Sequence, residues 1–217
     1  AKVDGSAQFG MDVIVPNMRV ATIAMAPVRG GKLKQVDATP AQAVNGVEKV
    51  IALGEAVVVV AKGYWQALKG LQALAPEFSD GGHGALNSPA IFAAHDRLLA
   101  RAKPDAEGGE GDVAAAFAQP GARLVEASYR LPFIHHAMME PFAMTAHYRD
   151  GALEIWGGFQ DQLMLRKQAA EAAGIDVDAV TVHTTLLGGG FGRRFPGNCQ
   201  IIEQAVQVAK QCPWPVS

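Results

Sequence analysis

The chain has 217 residues, enough for one large domain or two modest ones, and its 49% hydrophobic and 18% charged residues exclude global disorder. A formal charge of −2 leaves no cationic footprint of the kind that nucleic acid requires. The longest apolar run, over 56–61, is about a third of the roughly 20 residues of a membrane-spanning helix and suits a buried strand.

In chain order, residues 19–26 read as a strand closed by Pro27, with Gly30 and Gly31 in the turn that follows. Thr39 and Pro40 read as the cap and first residue of a short helix ending at Asn45 and Gly46. Strands are expected over 47–53 and 56–61. A helix is expected over 64–74, with Trp65, Leu68, Leu71 and Leu74 as its buried stripe. The polar, glycine-rich stretch 101–112 reads as a linker. Beyond it, a short helix over 113–118 precedes a strand over 124–129, and Asp150-Gly151 joins strands 144–148 and 153–156 as a tight hairpin. Asp161 caps a helix that carries Leu163, Leu165, Ala169, Ala172 and Ala173 as apolar positions and stops at Gly174. A strand over 179–185 runs into a glycine-rich segment. A final helix from Asn198 buries Ile201, Ile202, Ala205, Val206 and Ala209. Strands and helices in short alternation make this an α+β chain.

Four glycines in five positions, Gly188, Gly189, Gly190 and Gly192, form the strongest local signal. Glycine tolerates positive φ and lets backbone N–H groups approach a ligand with no Cβ in the way. The run is not a dinucleotide fingerprint, which needs glycine where Arg193 stands, and no Gly-Lys-Ser/Thr follows for a phosphate loop. Spacing alone leaves two readings open: a cradle for an anion or oxo group, and a tight turn that packs a helix on a strand. The cluster of His135, His136 and Glu140 reads as a hydrogen-bonding loop, since H-x-x-x-E is not a ligand spacing. His83, His95, His147 and His183 stand alone, Glu203 reads as a solvated helix charge, and Met138, Met139 and Met144 read as packing. Cys199 and Cys212 offer no C-x-x-C motif.

The GGGFGRR run over 188–194 resembles the glycine-rich loop of the molybdopterin-binding large subunit of the xanthine dehydrogenase and aldehyde oxidase family. His136, Met139, Glu140 and Pro141 resemble that family's H-A-x-x-E-P stretch. Trp156-Gly157-Gly158-Phe159-Gln160 resembles its W-x-x-T-Q segment, with Phe159 in place of Thr. Residues 2–12 and 46–50 resemble its α/β hammerhead module. Gly192-Arg193-Arg194 and Tyr64-Trp65-Gln66-Ala67 most resemble the isoquinoline 1-oxidoreductase β-subunit branch, which includes aldehyde dehydrogenase relatives.

The resemblance implies a hammerhead module over 1–100, a linker over 101–112 and the first part of a molybdopterin-binding α+β domain over 113–217. It also implies a molybdenum hydroxylase that inserts water-derived oxygen beside a ring nitrogen or at an aldehyde carbon. The cofactor would be molybdopterin, in its cytosine dinucleotide form, with the metal held by the pterin rather than by side chains. Gln160 would hydrogen-bond an oxygen ligand of the metal, and the N–H groups around Phe191 and Gly192 would meet its apical oxygen. Gly189 and Gly190 would allow that approach, and Arg193 would face either the cofactor's anionic end or another segment of the chain. Phe195 stands where purine-oxidising relatives carry Glu, which favours an apolar aromatic N-heterocycle or aldehyde. The general-base Glu would lie beyond Ser217, so the chain alone is expected to be inactive. The resemblance implies that electrons pass to a separate 2Fe–2S subunit, and the two cysteines, Cys199 and Cys212, are consistent with that. The remainder of the large subunit would be a further partner, covering the apolar surface expected from this composition. The start at Ala1, without Met or an export signal, reads as an excerpt, and the compartment stays open between cytoplasm and periplasm. The alternatives are a catalytically silent module that uses the glycine loop for packing or docking, and an unrelated anion-binding domain.

Overall fold

The computed structural model describes residues 1–102 and 110–217, so most of the linker expected at 101–112 lies outside the described residues. Its contacts form two compact units, Ala1–Gly84 with His136–Ser217, and Ala85–His135.

In the larger unit, β1 (Val20–Met25), β2 (Leu33–Gln35), α1 (Thr39–Gln42), β3 (Val47–Ala52), β4 (Ala56–Ala61), α2 (Tyr64–Ala73) and β5 (Glu77–Phe78) follow one another. The first sheet has the antiparallel order β1-β4-β3, and β2 pairs with β5. Strand β4 is buried throughout, because it is central and covered on both faces. Val57 and Val59 pack with Ala41 and Leu74, while Val58 and Val60 pack with Ile51, Val208, Cys212 and Val216. Gly70 lets α2 lie close on this sheet: a Cβ there would come 2.8 Å from both Val47 and Val59. The expected stripe of this helix needs one correction. Trp65 is 67% exposed, and Ala67 and Gly70 are the buried positions, because the small residues set the closest approach to the sheet.

The second half of the unit contains β6 (Thr145–Arg149), β7 (Ala152–Gly157), α5 (Gln162–Ala173), β8 (Val180–Thr184) and α6 (Gln200–Ala209). Asp150 and Gly151 both take positive φ in the β6–β7 hairpin, as a primed turn requires. Strand β8 pairs with β7 in parallel, so α5 is the crossover between them. Asp161 caps α5 by accepting the Met164 N–H at 2.9 Å, and Gly174 ends it in the left-handed region. Leu165, Ala169, Ile202 and Val206 join Leu153 and Ile155 in the core, whereas Leu163 in the first turn of α5 is 82% exposed. Val216 bridges Arg19 and Ala146 and so links the two sheets.

The smaller unit holds α3 (Ser88–Leu99), capped by Asn87, and α4 (Val113–Phe117), capped by Asp112. Arg130 reaches Asp96 at 2.6 Å and lies over Phe92. The strand expected over 124–129 does not form. A strand exists only through its ladder, and no described residue pairs with this segment, whose Leu124, Val125 and Tyr129 are exposed.

Candidate functional site

Parallel pairing brings the site together. Gly157 and Thr184 are partners at the carboxyl ends of β7 and β8, so the segments leaving both strands emerge side by side. One carries Gly158, Phe159 and Gln160, and the other carries the glycine loop. The contact requires small residues. A Cβ on Gly158 would stand 2.6 Å from the Leu186 carbonyl oxygen, and one on Gly190 would stand 2.6 Å from Gln160 Oε1. Within the loop Gly189 and Gly192 adopt φ of 105° and 89°. Phe191 takes φ of 50°, a strained value for a non-glycine residue, and is 72% exposed.

The Gly192 N–H donates to Gln160 Oε1 at 2.9 Å, and the Gln160 N–H donates to the Arg194 carbonyl at 3.1 Å. With Oε1 identified as the acceptor, the amide nitrogen of this exposed side chain is left as a donor. Arg193 N–H closes a turn on the Gly190 carbonyl at 2.8 Å. The N–H groups of Gly189, Gly190 and Phe191 donate to no acceptor among the described residues, although Gly190 is buried. Burial normally forces such donors to find partners. Three successive free amides beside a free Gln160 amide leave donors available to an oxo or anionic group.

Beneath the loop lies an ion pair. Arg194 is fully buried, and its Nη1 meets Glu140 Oε2 at 2.9 Å. Its two terminal nitrogens also donate to the carbonyls of Gly158, Glu140 and Pro141, and the guanidinium lies over the Phe142 ring at 4.8 Å. Glu140 Oε2 further accepts the Gly188 N–H at 2.7 Å, and Oε1 accepts the Gly10 N–H at 3.0 Å. Leu186 N–H donates to the Gln8 carbonyl, so residues 8–10 also abut the loop.

Gln160 and the loop residues Gly189, Gly190, Phe191 and Gly192 therefore lie together. Arg193 donates to the Asn198 carbonyl at 3.2 Å and lines a polar cleft shared with Arg29, Lys32 and Cys199. Burial pushes the Cys199 thiol from 9.0 up to about 11. His136 is not among the partners of Glu140, and the described residues contain no cluster of metal-ligating side chains. Arg194 and Gly10 were not legible as site residues.

Residues 95–217 match the molybdopterin cofactor-binding domain. The chain is 32% identical over 216 residues to isoquinoline 1-oxidoreductase subunit beta of Brevundimonas diminuta, covering 90% of this chain and 26% of that protein. It is 29% identical over 224 residues to a membrane-bound aldehyde dehydrogenase [pyrroloquinoline-quinone] of Gluconacetobacter polyoxogenes, covering 93% of this chain and 27% of that protein. It thus spans about a quarter of the length of these curated relatives. The aldehyde oxidoreductase structure from Desulfovibrio gigas shares its fold with a TM-score of 0.73 at 16% identity, over 99% of this chain and 28% of that one. On the match over 95–217, which takes in the second sheet and the whole glycine loop, the chain belongs to the molybdopterin cofactor-binding domain family.

Proposed function

We propose that this chain is the cofactor-cradling part of a molybdenum hydroxylase large subunit that oxidises an aromatic N-heterocycle or an aldehyde. The observation that carries the reading is the set of free donors on Gly189, Gly190, Phe191 and the Gln160 amide. These residues would hold molybdopterin, and Gly190 and Gly158 clear the space that a Cβ would fill. When bound, that cofactor supplies the oxygen-transfer and redox chemistry that no side chain here provides.

The protein's own contribution is orientation and charge stabilisation. Donors fixed before reaction stabilise negative charge that builds on an oxygen without reorganising at that moment. The Gln160 amide is held for this by Gly192, and the Gly189 to Phe191 amides by the turn on the Gly190 carbonyl. Glu140 is committed to Arg194, Gly188 and Gly10, so it serves as scaffold and not as a proton acceptor. The reading therefore assigns the general base to sequence outside these residues. Half-buried Phe195 places an apolar ring close after the loop, in keeping with an apolar substrate.

In this reading residues 1–100 are a hammerhead module joined through 101–112 to the cofactor domain, the cofactor is the cytosine dinucleotide form, and electrons leave through a 2Fe–2S subunit. The names of the relatives, an isoquinoline oxidoreductase and an aldehyde dehydrogenase, support the substrate classes. The test is to purify the protein expressed from its own gene with its neighbouring subunits, and to measure molybdenum, pterin nucleotide and turnover of isoquinoline and aldehydes. Near-stoichiometric molybdenum and cytosine nucleotide with turnover support the proposal. A metal-free protein of native fold contradicts it.

A further inference from the structure

We infer that the buried Glu140–Arg194 pair is the positioning device of the glycine loop, setting where its free amides and the Gln160 amide point. The inference rests on the cofactor reading above for its functional meaning, but its geometry stands independently. The loop begins at Gly188 and ends at Arg194, and both ends are fastened to the same carboxylate. Glu140 Oε2 takes the Gly188 N–H at 2.7 Å and Arg194 Nη1 at 2.9 Å. The fit at Gly188 is tight, since a Cβ there would stand 2.5 Å from Glu140 Cβ.

The same pair controls the facing segment. Arg194 Nη1 donates to the Gly158 carbonyl at 3.3 Å, and its own carbonyl receives the Gln160 N–H at 3.1 Å. Displacing Arg194 therefore moves Gln160 and the loop together. Glu140 Oε1, through the Gly10 N–H at 3.0 Å, draws residues 8–10 into the same knot.

A carboxylate is chemically required here. The site presents three donors, Gly10 N–H, Gly188 N–H and Arg194 Nη1, to two oxygens. An amide offers one acceptor oxygen, and its NH2 would face a donor. The change Glu140→Gln is nearly isosteric and removes both the charge and one acceptor, whereas Glu140→Asp keeps the charge on a shorter stem.

The experiment is amide-resolved hydrogen exchange on the complete protein and its Glu140→Gln and Glu140→Asp variants, with kcat, KM and molybdenum content measured alongside. A positioning role predicts that Gly192 and Arg193, which do not touch Glu140, exchange at least about tenfold faster in Glu140→Gln, as does Gly188, while β6, β7 and α5 amides keep their protection. It also predicts a kcat at least about tenfold lower with KM within about twofold, since the loop's donors act in the transition state, and Glu140→Asp intermediate in both readouts. Faster exchange confined to Gly188 and Gly10, or a uniform rise across core and loop in both variants, overturns the inference in favour of a merely structural pair. Absence of molybdenum from the wild-type protein removes the cofactor reading. The exchange pattern still decides whether the pair positions the loop.

Discussion

Gln160 Oε1 accepts the Gly192 N–H at 2.9 Å across 32 positions of sequence, and this bond settles which end of the amide faces outward. Replacing Gln160 by Glu keeps an acceptor for Gly192 but removes the outward donor. Turnover of the complete enzyme is expected to fall at least about tenfold, the scale of a lost preorganised donor. Gln160 is exposed, so the melting temperature of the variant is expected to stay within about 2 °C. Steady-state kinetics with a thermal scan check both.

Gly190 and Gly192 separate space from backbone strain. At Gly190 a Cβ would meet Gln160 Oε1 at 2.6 Å, whereas at Gly192 it would meet nothing within 4 Å but sits at φ of 89°. Gly190→Ala is expected to displace the Gln160 side chain and lower bound molybdenum. Gly192→Ala is expected to cost about 1 kcal/mol or more of stability through strain. Metal analysis paired with denaturant unfolding distinguishes them.

Asp161 tests the frame that carries Gln160. Its carboxylate accepts the Met164 N–H at 2.9 Å, so Asp161→Ala is expected to cost about 1 kcal/mol. Chemical denaturation should show the midpoint falling with an unchanged m-value.

Cys199 gives a pH dependence. Its folded thiol lies at about 11, above its ordinary 9.0, because burial disfavours the thiolate. The unfolded chain therefore loses this proton first as pH rises. The stabilisation is fully present below pH 9 and is lost as pH climbs toward 11, at most about 2–3 kcal/mol. Cys199→Ser should flatten that part of the stability profile. Alkylation of native Cys199 at pH 8 should be far slower than that of an unfolded control.

Local chemistry made much of the fold legible. Asp150-Gly151, the Asp161 cap and the Gly174 stop each act within a few residues, and all three form as their sequence requires. The glycine loop and Gln160 stand out as candidate site residues because they resemble a known family pattern. Trp65 reads as buried because it fits a helical stripe, and Leu163 counts among the apolar positions of its helix. Which side of a helix is covered, however, depends on where neighbouring elements lie, and both stand exposed. The strand expected over 124–129 had suitable residues but no described partner. Glu140 and Arg194 are 54 residues apart, so nothing local announces their pairing.

The most direct measurement is a density map of the complete protein with its cofactor bound. A cofactor held by this loop places an acceptor atom within about 3.2 Å of the Phe191 or Gly190 amide and another within reach of the Gln160 amide nitrogen. A cofactor seated elsewhere, with these amides still facing solvent, would contradict the assignment.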